Sequence, residues 1–153
     1  MPLDAGDPAP AVRAANQDGE TVTPDFADPT VVYFYPRDET RGCSIEAREF
    51  DAALDAYRAA GVSVYGVSTD GVDSHAAFVE SEGLDFDLLA DPDGELVEAF
   101  GVEFLEDPGE PAAARTTFVL ADGEVQAVYA GVDPEGHAEA VLADLRASGL
   151  AGG

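Results

Sequence analysis

A chain of 153 residues with one cysteine, Cys43, and no lysine excludes several classes of protein at once. One cysteine cannot close a disulfide within the chain, which agrees with a reducing compartment. The lack of a Cys-x-x-Cys pair argues against a disulfide oxidoreductase. All the basic residues are arginine, 7 of them against 32 acidic residues, for a formal net charge of −25. Such a surface repels nucleic acid and anionic membrane, so neither is expected as a partner. No apolar run is long enough to span a bilayer. The opening Met1-Pro2-Leu3-Asp4-Ala5-Gly6-Asp7 lacks the basic region and the apolar core of a secretory signal, so a cytoplasmic location is expected. His75 and His137 fall on expected helix surfaces without metal-ligand spacing and are given no role. Asp91 and Asp93 lack the phased ligands of a calcium loop and read as a turn with a helix cap. Neither a metal nor a cofactor is expected.

Hydrophobic residues make up 46% of the chain, enough for a sizeable core, and the length suits one domain over residues 1–153. The acids are spread along the whole chain and do not form a tail. Adaptation of the entire surface to a high-salt, halophilic cytoplasm is the simplest account, since molar salt screens charge within about 3 Å.

The chain is organised around Tyr33-Phe34-Tyr35-Pro36-Arg37-Asp38-Glu39-Thr40-Arg41-Gly42-Cys43. An apolar run from Val31 stops at Pro36, a polar loop follows, and a helical pattern opens near Gly42. Phe50, Leu54 and Tyr57 fall on one face of that helix. Cys43 therefore belongs in a first helical turn, where free N–H groups and the dipole favour a thiolate. A lone cysteine is most often a small buried hydrophobe. Here its place at a helix start beside Arg41 points to a partly exposed, electropositive site.

In order, Val12 to Ala15 and Thr21 to Thr23 flank a turn and read as a hairpin. Val31 to Tyr35 is a strand covered on both faces. A helix from about Gly42 to Ala60 ends at Gly61, and Val62 to Ser68 is a second core strand. Ser74 caps a helix through Glu82 with Ala77 and Phe78 facing in, and Gly83 stops it. Phe86 to Ala90 is extended, and Glu95 to Phe100 is a short helix. Val102 to Ala114 reads as a surface loop. Arg115 to Leu120 and Val125 to Ala130 pair across an Asp-Gly turn. A last helix from Pro134 to Ala147 buries Ala138, Val141, Leu142 and Leu145. Strands alternating with helices imply an α/β fold with a central mixed sheet and helices on both faces, the thioredoxin-like layout.

The pattern Pro-x-x-x-Thr-x-x-Cys, here Pro36, Thr40 and Cys43, resembles the peroxide site of the peroxiredoxins. The surrounding string from Tyr33 through Ala47 is similar to the bacterioferritin comigratory protein, or peroxiredoxin Q, branch. So are Gly66 to Asp70 through Ser74-His75, Leu88 to Gly94, and Arg115 to Leu120 before Asp122-Gly123. The resemblance implies a thiol-dependent peroxidase of the thioredoxin-like fold. Cys43 would be the nucleophile and pass through a sulfenic acid. Thr40 would hydrogen-bond the peroxide, Pro36 would cover the pocket, and Arg115 would hold sulfur and oxygen. Glu46 would orient Arg115, or would simply be a glutamate favoured at a helix start.

Many members of this branch carry a second cysteine five residues after the first, where this chain has Arg48. The resemblance therefore implies a one-cysteine form. Its sulfenic acid must be reduced by an outside thiol, either a thioredoxin-like protein or a low-molecular-weight thiol. The substrates implied are hydrogen peroxide and small alkyl hydroperoxides, and the protein is expected as a monomer or weak homodimer. Arg37, Arg41 and Arg48 read as solvated charges, and Arg48 as an aid to an anionic thiol. The competing reading is a non-enzymatic thiol redox sensor, which turnover with added thiol would separate from a peroxidase.

Overall fold

The computed structural model describes residues 3–24, 26–36, 38, 41–105, 112–131 and 133–149. A short hairpin, β1 (Ala14–Ala15) with β2 (Thr21–Val22), precedes the core. Then come β3 (Thr30–Phe34), α1 (Arg41–Ala52), α2 (Leu54–Ala59), β4 (Ser63–Ser68), α3 (Val72–Glu82), β5 (Asp87–Ala90) and α4 (Glu95–Ala99). The chain continues through β6 (Phe104–Leu105), β7 (Ala112–Ala113), β8 (Thr116–Ala121), β9 (Glu124–Ala130) and α5 (His137–Ser148). The main sheet has five strands in the order β5-β4-β3-β8-β9. β3, β4 and β5 run parallel, while β8 and β9 are antiparallel to their neighbours. This is the mixed sheet of a thioredoxin-like fold.

β3 lies at the centre, and all five of its residues are buried, as a strand covered on both faces requires. The two-residue period of the strand sorts its side chains. Val31, Tyr33 and Tyr35 join Phe50, Tyr57, Phe78, Val141 and Leu145 in one core, so α1, α2, α3 and α5 cover that face. Val32 and Phe34 join Leu96, Phe100 and Phe118 under α4 on the other face. The Asp122-Gly123 turn between β8 and β9 has φ of 56° and 73°. Positive φ at both positions matches the strand twist, which is why this dipeptide is a hairpin signal.

Several local expectations change in the folded chain. The helix from Gly42 is interrupted at Ala53 (φ −90°, ψ −2°), although Tyr57 N–H still donates to Ala53 O at 3.0 Å. Within the expected 102–114 loop, Phe104–Leu105 and Ala112–Ala113 pair as β6 and β7, and residues 106–111 lie outside the described residues. Ser74 is not a cap: α3 begins after Gly71 without a side-chain cap, and the Ser74 hydroxyl goes to Asp38. Ala77 is exposed, and α3 instead turns His75 and Phe78 inward. Both histidines assigned to helix surfaces are buried, His75 at 0% and His137 at 7% exposure. Tertiary acceptors offset the cost of burying their polar rings. The His137 Nε2 meets Thr117 Oγ1 at 2.8 Å, and burial lowers the pKa of the ring.

Candidate active site

Strand pairing brings the site together. Phe34 of β3 is opposite Thr116 of β8, so the end of β3 lies beside Arg115, the residue before β8. Cys43 is the third residue of α1, in the first turn as expected, and its sulfur faces that arginine. Arg115 Nη2 donates to Cys43 Sγ at 3.2 Å, and Arg115 Nη1 donates to Glu46 Oε1 at 3.0 Å. Glu46 lies one turn after Cys43, on the same side of the helix. One guanidinium thus spans sulfur and carboxylate, a use of its fixed fork that lysine cannot match.

Cys43 is 1% exposed, so the expectation of a partly exposed thiol does not hold. The Arg115 guanidinium lies on the sulfur, and further along α1 the Glu49 Oε1 accepts from Gly136 N–H at 2.7 Å, holding α5 on α1. Gly42 makes room for the arginine, because a Cβ there would stand 2.6 Å from Arg115 Nη2. Pro36 is half-buried directly after the core residue Tyr35. Thr40 and Arg37, and the Arg41 side chain, lie outside the described residues. Arg48 is on the surface, but it is paired with Glu82, with Nη2 to Oε1 at 3.2 Å, and so is not a free cation for an anionic thiol. Asp91 does act as a cap, accepting from the N–H groups of Leu96 and Val97 at 3.0 Å each.

Glu46 is 1% exposed, and its second oxygen, Oε2, has no hydrogen-bond partner among the described residues. Burial raises its pKa to about 7, against the opposing charge of Arg115. The folded protein therefore keeps this proton between about 4.5 and about 7, where the unfolded chain releases it. The contribution of Glu46 to stability accordingly falls as pH rises through that window and is flat above it. The difference in unfolding free energy between wild type and Glu46→Gln is expected to change by about 3 kcal/mol between pH 4.5 and 7.5. Urea titrations across that range check this, and a pH-independent difference would refute it.

Asp38 and His75 form a second polar cluster beside the site, which the sequence reading missed. His75 lies three residues before the core residue Phe78, a spacing that places both on one helix face. That spacing was the available signal.

A model of the AhpC/TSA family matches residues 5–128. Peroxiredoxin Bcp of Escherichia coli K12 is 37% identical over 147 residues, covering 92% of this chain and 94% of that protein. Peroxidoxin BcpB of Mycobacterium tuberculosis superimposes with a TM-score of 0.87 at 32% identity, over 95% of this chain and 97% of that one. The bacterioferritin comigratory protein of Xanthomonas campestris, a structure described for alkyl peroxide reduction activity, gives a TM-score of 0.85 at 34% identity, over 95% and 99%. With a complete thioredoxin-like sheet and an arginine on the helix-start cysteine, the chain belongs to the AhpC/TSA family, among the peroxiredoxins of the Bcp type.

Proposed function

We propose that this peroxiredoxin is a thiol-dependent peroxidase of the one-cysteine form, with Cys43 as the nucleophile. The observation that carries the assignment is the Arg115 guanidinium seated between Cys43 Sγ and Glu46. The Cys43 thiolate attacks one oxygen of the hydroperoxide. A sulfur–oxygen bond forms as the oxygen–oxygen bond breaks, and the other oxygen leaves and takes up a proton. The products are water or an alcohol and a Cys43 sulfenic acid. Arg115 holds negative charge on sulfur before attack and on oxygen as it leaves. N–H groups of the first turn of α1 add to this, Thr40 binds the peroxide, and Pro36 keeps water from the pocket.

With a single cysteine, the cycle needs an external thiol. That thiol attacks the sulfenic sulfur and releases water. A second thiol then cleaves the mixed disulfide, returning Cys43 as thiolate and leaving the two external thiols as a disulfide. Hydrogen peroxide and small alkyl hydroperoxides are the substrates we assign. The reductant is a thioredoxin-like protein or a small thiol, and the protein works as one domain over residues 1–153, as a monomer or weak homodimer. We place it in the cytoplasm, and the net charge of −25 favours a high-salt cytoplasm. The described residues include no helix long and apolar enough to cross a membrane.

Single-turnover oxidation of reduced Cys43 by hydrogen peroxide, in molar KCl with a sulfenic-acid trap, tests the reading. Cys43 is expected to react at least about a thousandfold faster than a free cysteine thiolate, equal to about 4 kcal/mol of barrier. A rate no faster than a free thiol overturns it. Continuous turnover with added thiol separates the peroxidase from a sensor that needs only one slow cycle. A melting temperature that does not rise between about 0.1 and about 2 M KCl would remove the high-salt assignment.

A further inference from the structure

The loop between β3 and α1 is tied down at its middle by Asp38. The Asp38 side chain is 2% exposed and accepts three hydrogen bonds. Tyr35 Oη donates to Oδ1 at 2.6 Å, Ser74 Oγ donates to Oδ2 at 2.8 Å, and His75 Nδ1 meets Oδ2 at 2.7 Å. The Asp38 backbone N–H donates to Asp70 Oδ2 at 2.7 Å, and Ser68 Oγ donates to the same oxygen at 2.7 Å. One residue thus joins the loop to α3 through its side chain and to the end of β4 through its backbone.

His75 is 0% exposed, and its other nitrogen, Nε2, lies 3.0 Å from Leu89 O. The backbone carbonyl of Leu89 can only accept, so Nε2 donates to it, and Nδ1 shares a hydrogen bond with Asp38 Oδ2. The cluster is a buried histidine–aspartate pair joined by a hydrogen bond. Burying two such polar side chains is costly even when they are hydrogen-bonded, and an apolar pair of similar volume often serves stability as well. Stability alone is therefore a poor reason for this arrangement. Its place in the chain supplies a better one: Asp38 stands two residues after Pro36, two before Thr40 and five before Cys43.

We propose that Asp38 and His75 are positioning residues for peroxide reduction, fixing the loop that carries the substrate-binding groups against the sulfur of Cys43. The proposal rests on the peroxidase reading. It predicts that weakening the pair harms attack on peroxide, which needs alignment, more than attack on a reagent that needs only an exposed sulfur. The test compares hydrogen peroxide oxidation and iodoacetamide alkylation of Cys43 in wild type, Asp38→Ala and Asp38→Asn, with melting temperatures alongside.

In Asp38→Ala the peroxide rate constant should fall by about 100-fold, the loss expected for a misplacement near 1 Å, while alkylation falls by less than about threefold or rises. Asp38→Asn, which still offers an acceptor to His75, should recover most of the peroxide rate. A merely structural role would lower the melting temperature and leave both rates of the folded protein near wild type, and that result overturns the proposal. Equal losses in both reactions overturn it too, because they indicate a less reactive sulfur and not a misplaced loop. If Asp38→Ala does not fold, the uncharged Asp38→Asn/His75→Gln pair takes its place with the same expected split. Slow oxidation of wild-type Cys43 would instead remove the peroxidase reading itself.

Discussion

Replacing Arg115 by alanine is expected to slow single-turnover oxidation of Cys43 by about 10²–10³-fold, the usual effect of losing one preorganised donor to a developing oxyanion. The guanidinium contacts both Cys43 Sγ and Glu46. Arg115→Lys should recover only part of the rate, because one ammonium cannot reproduce the two-pronged contact. Gly42→Ala reaches the same contact without touching the arginine. The added Cβ would lie 2.6 Å from Arg115 Nη2 and 3.3 Å from Cζ, at the far end of a flexible side chain. The arginine should yield and the helix should not, since alanine is the better helix former by about 1 kcal/mol. Gly42→Ala is therefore expected to lose at least about tenfold in rate with no loss of melting temperature. Stopped-flow oxidation beside thermal melts checks both variants. Rates within about threefold of wild type in Arg115→Ala would show that the arginine is a strand-end charge without a part in the chemistry.

The largest loss of stability is expected at Phe50. This residue of α1 is 0% exposed and stacks on Tyr33 at 4.6 Å with the rings 10° apart. Tyr57 and His137 are also each 5.9 Å from it, so the helix carrying Cys43, the central strand and α5 meet at one ring. Phe50→Ala removes this packing and leaves a cavity that the flanking elements cannot close. It should cost about 3–5 kcal/mol, lowering the melting temperature by roughly 10–15 °C. Urea unfolding in molar KCl measures this directly. A loss below about 1 kcal/mol would mean that the core relaxes around the gap.

Much of this architecture was legible because the signals are local. Phe50, Leu54 and Tyr57 repeat at helical spacing, and all three are buried. Ala138, Val141, Leu142 and Leu145 do the same in α5. Pro36 ends a strand, and Gly83 ends α3 in the left-handed conformation at φ 65°. Legibility failed where a partner far along the chain decided the outcome. Ser74 has the chemistry of a cap, but a carboxylate 36 residues earlier takes its hydroxyl. His75 has a polar ring that pattern reading assigns to solvent, yet Asp38 and Leu89 together make burial tolerable.

The sequence by itself determined that a lone cysteine opens a helix after a buried strand, that no second cysteine can resolve it, and that an Asp-Gly turn joins the last two strands. Each follows from residue type and short-range backbone geometry, which neighbours in the chain dictate. Only the tertiary structure decided that Cys43 is closed off from solvent, that Arg115 reaches it across 72 positions, that Arg48 is held by Glu82, and that Asp38 meets His75. These outcomes depend on strand register and on which surfaces are pressed together. Side-chain period reports which face of an element is buried, but not which distant group waits there to satisfy a charge.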